Sequence, residues 1–97
     1  MKEVFLDRNL PGADMVEQGL ADLEAGRVTD YSLLLQTAGP SLRRLGLSIP
    51  EPNSVRPIHH LLYERLEDRL GDDAYSYYNS LIRRIVSYTR ALEQTLR

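Results

Sequence analysis

The chain has 97 residues, 42% of them hydrophobic and 27% charged, with a formal net charge of −2 and no cysteine. That length suits one domain able to bury roughly 60–65% of its unfolded surface, and the composition is too apolar for a disordered segment. Without cysteine there is no disulfide framework and no thiolate zinc site, in keeping with a cytoplasmic setting, and no apolar run nears the ~18 residues that would span a bilayer.

Residues 1–11 read as a lead-in turning at Asn9-Leu10-Pro11-Gly12. Its opening, MKEVFLDRNLPGAD, lacks the apolar h-region of a signal peptide. Helical spacing predicts a first helix from Ala13 to Ala25, with Met15, Val16, Gly19, Leu20 and Leu23 on the apolar stripe. Asp14, Glu17, Asp22 and Glu24 are placed outside it. Pro11 and Asp14 suit the helix start and Gly26 the residue just past its end. Gly19 lowers helix stability by about 1 kcal/mol relative to alanine, so its presence inside the stripe points to close approach of another helix.

A second helix starts at VTDYSLLL, capped by Thr29 or Asp30, and runs to Ala38. Pro40 breaks or kinks the path, and a short helix SLRRLG follows, stopped by Gly46. LSIPEPNSVRP, with three prolines, reads as a linker of extended surface chain. A third helix spans Pro57 to Leu70 with Ile58, Leu62, Leu66 and Leu70 as its seam, and Gly71 ends it in a left-handed conformation. Asp72 or Asp73 caps the last and longest helix, residues 73–95, about 35 Å long.

The charge is unevenly spread. Residues 1–73 carry thirteen acidic and eight basic groups, a balance of −5, whereas residues 74–97 carry four arginines against one glutamate, a balance of +3. Asp72 and Asp73 at the start of the long helix, with Arg90 and Arg97 toward its end, agree with the helix dipole. Eleven arginines against one lysine are accounted for by GC-rich coding as well as by function.

The tyrosine- and arginine-rich run AYSYYNSLIRRIVSYTRALE invites comparison with a nucleic-acid stacking platform, which needs aromatics and cations on one exposed surface. On a helical wheel Ala74, Tyr78, Leu81, Ile85, Tyr88, Leu92 and Leu96 fall within about 80° of arc. Tyr75, Ile82 and Val86 flank that stripe on one side and Tyr77 on the other. Arg83, Arg90 and Arg97 point to the opposite surface, and Arg84 lies on the other side. The pattern is therefore that of a core helix with tyrosine hydroxyls at the rim. Its apolar sector is wider than one small core needs, so Tyr75, Ile82 and Val86 are the candidate protein interface, most simply with a twin chain. Helix one, through Gly19, is the competing cover for that flank.

Within TDYSLLLQTAGPSLRRLGL, residues 29–47, the segment 29–46 carries faint features of a helix-turn-helix, in which Ser41, Arg43 and Arg44 would meet nucleic acid. Against that stand Pro40, a recognition helix of about five residues and an acidic net charge. His59 is placed beside the apolar face of its helix, as a core or rim histidine. His60 and Glu64 share the polar face at i, i+4, which supplies two metal ligands and no complete site. The run Glu64-Arg65-Leu66-Glu67-Asp68-Arg69 reads as a solvated charged face. There is no Gly-x-Ser-x-Gly elbow and no glycine-rich phosphate loop.

Together these features predict one all-α domain over residues 1–97: a small bundle of about four helices in two antiparallel pairs, with a long C-terminal helix. The expected role is a non-enzymatic protein-interaction or regulatory protein, adaptor- or antitoxin-like, acting as a homodimer, with another protein as a further partner. A small DNA-binding regulator using residues 29–46 is the alternative. No cofactor, no metal, no membrane and, in the first reading, no nucleic acid are expected. Small size, lack of cysteine and helical layout look like those of bacterial cytoplasmic proteins, and assign no site residue.

Overall fold

The computed structural model describes residues 10–52 and 55–95. The lead-in through Asn9, Asn53 and Ser54 of the linker, and Leu96 and Arg97 lie outside the described residues. Among the described residues the regular structure is helical: α1 (Ala13–Glu24), α2 (Asp30–Thr37), α3 (Gly39–Arg44), α4 (Ile58–Leu70) and α5 (Ala74–Thr95). Helices α1 and α2 pack as one pair and α4 and α5 as another, and α2 lies against α4 to join them. This is the small all-α bundle with a long last helix that the spacing implied.

Helix α2 is the hub. It touches α1, α3, α4 and α5, so Leu33, Leu34 and Leu35 are all buried although they point in three directions. Around them the core gathers Met15 and Val16 of α1, Leu42 of α3, Leu62 and Leu66 of α4, and Leu81, Ile85, Tyr88 and Leu92 of α5. The four positions at the centres of the last two seams, Leu62, Leu66, Leu81 and Ile85, thus share one core.

At Gly19 α1 and α2 are in close contact. A methyl group placed there would lie 2.7 Å from Leu35 Cδ1, 2.8 Å from Leu35 Cγ and 3.0 Å from the Tyr31 carbonyl oxygen. Thr29 caps α2, as its side chain suggested. Its hydroxyl accepts from the Ser32 N–H at 3.1 Å, while the Thr29 N–H donates to Ser32 Oγ at 2.8 Å. After a break at Ala38, α3 restarts with Pro40 in its first turn, where the missing amide does no harm.

Two expectations change. The linker after Gly46 is not merely surface chain: Leu47 and Ile49 are buried in the core. Alternating residues of an extended segment face opposite ways, so a proline-rich stretch can still anchor every second side chain. At the α4–α5 junction, Gly71 does take positive φ, but with φ 59° and ψ −124° it lies outside the left-handed helical region. A short 3₁₀ turn, Gly71–Asp73, then leads into α5, with the Ala74 N–H bonded to the Gly71 carbonyl. Asp72 and Asp73 therefore sit in that turn.

Candidate functional site

Along α5 the inward positions Ala74, Leu81, Ile85, Tyr88 and Leu92 are buried. The flank is not. Tyr75 is 65% exposed and Val86 41% exposed, with Ile82 half-buried between them. Helix α1 does not cover this strip. Its start meets α5 elsewhere, where Gly12 approaches the Arg84 carbonyl and Tyr88. The three residues picked out by the wheel therefore form an apolar strip facing solvent. Val28 and Val55 are the other large apolar residues exposed among those described, and each stands alone in a loop.

The strip borders a shallow groove of about 480 Å³ between α4 and α5. Tyr63 and Tyr78 meet there edge to face, their ring centroids 5.5 Å apart and their planes at 82°. Tyr75, His59, His60, Glu64 and Glu67 complete the lining. Both histidines are exposed, their rings 4.4 Å apart. His59 is therefore not the core or rim histidine its spacing suggested. One residue after Ile58 it lies about 100° round the helix, far enough to leave the packed face. Glu64 is ion-paired to Arg56. Among the described residues no group of three or more histidines or carboxylates could hold a metal ion.

The two perturbed carboxylates lie away from this groove and serve the fold. Asp22, placed outside the stripe by its polarity, is 3% exposed. Seven residues after Met15, it falls on the same helix face. Its carboxylate accepts from Thr29 Oγ1 at 2.7 Å, Gln18 Nε2 at 3.0 Å and Arg27 Nε at 3.1 Å. The Thr29 hydroxyl bond, helped by Arg27 and Gln18 and opposed by burial, holds the Asp22 carboxyl below its ordinary pKa. Asp22 thus fastens the end of α1 to the cap of α2.

Asp30 performs the equivalent task between α2 and α4. Arg65 Nε donates to its Oδ1 at 2.9 Å, and Arg69 reaches both oxygens, at 3.2 and 2.5 Å. Burial pushes the Asp30 pKa up, but the hydrogen bonds and charges of Arg69 and Arg65 outweigh it and hold the group low. The same contact raises the Arg69 pKa. Tyr77 nearby is pushed up, first by burial and then by Tyr31 and Asp30. The charged face of α4 is consequently half structural: Arg65 and Arg69 clamp a neighbouring helix.

In the segment weighed as a helix-turn-helix, Ser41 is half-buried, Arg44 exposed and Arg43 engaged. Arg43 Nη1 donates to the Ile49 carbonyl at 2.9 Å, and its Nη2 lies 3.4 Å from Glu51. No helix among the described residues is long and apolar enough to cross a membrane. Comparison with protein-family models, with curated proteins and with solved structures finds no match.

Proposed function

We propose that this is a cytoplasmic, non-enzymatic interaction protein, adaptor- or antitoxin-like, that self-associates as a homodimer through α5. The observation that carries the reading is the strip Tyr75–Ile82–Val86, in which Tyr75 stands largely in solvent and Val86 is 41% exposed, beside a tyrosine-lined groove. A contiguous apolar patch of this kind marks an interface more often than isolated exposed residues do. Tyrosine suits it, because the ring buries area while the hydroxyl remains at the wet rim. Symmetric pairing is the commonest assembly of a single chain. A non-enzymatic role draws support from the use of the perturbed carboxylates, Asp22 and Asp30, as links between helices. DNA binding through residues 29–46 has less behind it, since Arg43 is engaged in anchoring the linker at Ile49.

Sedimentation equilibrium at micromolar concentration tests the reading. The expected particle is twice the 11.1 kDa chain mass. Ile82→Glu is expected to return it to one chain with its helical circular dichroism unchanged. A particle of a single chain for the parent protein, or a dimer that Ile82→Glu leaves intact, would overturn the proposal.

A further inference from the structure

The groove between α4 and α5 sets tyrosine rings beside a carboxylate that has no cation of its own. The order of its lining follows from the hairpin. Glu67 lies four residues before Gly71 and Tyr75 four residues after it, so the turn sets them roughly level on neighbouring helices. Tyr63 and Tyr78, eight before and seven after, meet in the same way, with their ring centroids 5.5 Å apart. About 6 Å along the axis, one helical turn, separates the two levels. His59 and His60 line the end away from the turn.

Two features decide what this groove can take. The first is the rings. At 82° the Tyr63 and Tyr78 rings do not stack flat, so the ring whose edge makes the contact keeps both faces clear of the other. Tyr75 is 65% exposed. An aromatic face carries the negative part of the ring quadrupole and attracts a cation. The second feature is the charge. Glu67 is exposed and makes no ion pair among the described residues. Glu64 is tied to Arg56, and Arg65 and Arg69 of the same helix are held by Asp30. No lysine or arginine among the described residues lines the groove.

We infer that the groove binds an arginine side chain presented by a different protein, with its guanidinium stacked on a tyrosine ring and hydrogen-bonded to Glu67. A guanidinium is flat and weakly hydrated, and its fork of donors matches both oxygens of a carboxylate. It therefore uses ring and carboxylate together in a shallow groove. A lysine ammonium is a compact, strongly hydrated point charge, and a quaternary ammonium has no donor for Glu67. The apolar stem of arginine covers tyrosine surface beside the charge. The inference rests on the reading of this chain as an interaction protein, but not on its dimerisation, since Tyr63 and Glu67 lie on α4, outside the strip on α5.

The experiment titrates the full-length protein, with isotope-labelled tyrosine rings, with the blocked tripeptide acetyl-Gly-Arg-Gly-amide. Its counterpart carries uncharged citrulline in place of arginine. The ring signals of Tyr63, Tyr75 and Tyr78 are expected to shift together with a Kd on the order of 1 mM. The citrulline peptide should bind at least about tenfold more weakly, and Glu67→Gln and Tyr75→Leu should each weaken the arginine peptide by about three- to tenfold. Both positions are exposed, and circular dichroism verifies that each variant is folded. Equal binding of the citrulline peptide, unchanged affinity in Glu67→Gln, tetramethylammonium bound as tightly as the arginine peptide, or no shift of the three rings at about 10 mM peptide would each overturn the inference. Sedimentation of the same samples keeps the two proposals apart. A chain that is monomeric yet binds the arginine peptide through Glu67 would uphold this inference and overturn the dimer alone.

Discussion

Replacing Gly19 by alanine sets two effects of opposite sign against each other. In an exposed helix interior the change stabilises by about 1 kcal/mol, because alanine has the higher helix propensity. Here the new methyl would lie 2.7 and 2.8 Å from Leu35 Cδ1 and Cγ and 3.0 Å from the Tyr31 carbonyl oxygen. Leu35 is fully buried, so it has no free space to turn into, and the Tyr31 carbonyl is part of the α2 backbone. Overpacking of this sort destabilises by about 1–3 kcal/mol, so the packing effect wins. Setting the two against each other, Gly19→Ala is expected to be net destabilising by up to about 2 kcal/mol, which for a domain of this size lowers Tm by up to about 15 °C. Urea unfolding followed at 222 nm measures it. Leu35→Ala alone should cost about 2–5 kcal/mol, and the double variant should cost clearly less than the sum, because each change relieves the other. A Gly19→Ala protein more stable than the parent by the ~1 kcal/mol expected of an uncrowded helix position, or additive behaviour in the pair, would refute the close crossing of α1 and α2.

Three further outcomes are expected. Leu81→Ala, removing a side chain that is 0% exposed, should cost about 2–5 kcal/mol; an unmoved urea midpoint would remove Leu81 from the core. Gly71→Ala should destabilise by about 1–3 kcal/mol through backbone strain alone, since no atom lies within 4 Å of the added methyl; an unchanged midpoint would contradict the φ 59°, ψ −124° conformation. Acid should weaken the fold through Asp22 and Asp30, whose pKa values are both lowered. Depressed carboxylates favour the folded state fully above the unfolded pKa, about 3.9, and lose that contribution as pH falls through the lower folded value. Urea midpoints from pH 6 down to pH 2.5 should therefore drop, with a shallower drop in Asp22→Asn and Asp30→Asn; parallel pH profiles for all three proteins would show that these links do not couple to folding.

Helix existence, order and punctuation were legible because they depend on neighbours in sequence. Gly26, Gly46 and Gly71 all take positive φ at helix ends, and Thr29 caps α2. The positions at the centres of the seams were legible for the same reason, since i, i+4 and i+7 spacing survives into the packed core. What escaped was set by contacts between elements. Asp22 was set aside for its charge, although its spacing from Met15 placed it inward; the missing knowledge was that Thr29 and Arg27 would be waiting across the turn. Arg65 and Arg69 looked like solvated charges because their shared partner, Asp30, lies 35 and 39 residues away in sequence.

The same distinction bears on the candidate site. Tyr75, Ile82 and Val86 could be seen as an apolar flank from the wheel alone. Whether α1 would cover that flank could not, because that depends on where the start of α1 lands. It lands against Arg84 and Tyr88, and the strip is left open. The groove beside it is a tertiary product as well. Tyr63 and Tyr78 belong to different helices, and only the tight turn at Gly71 folds α5 back on α4 so that their rings meet. A local feature, one glycine with a conformation that other residues resist, thus sets the geometry of the surface on which the proposed dimer depends. Loosening that turn should therefore reduce self-association as well as stability, even though Gly71 lies outside the proposed contact.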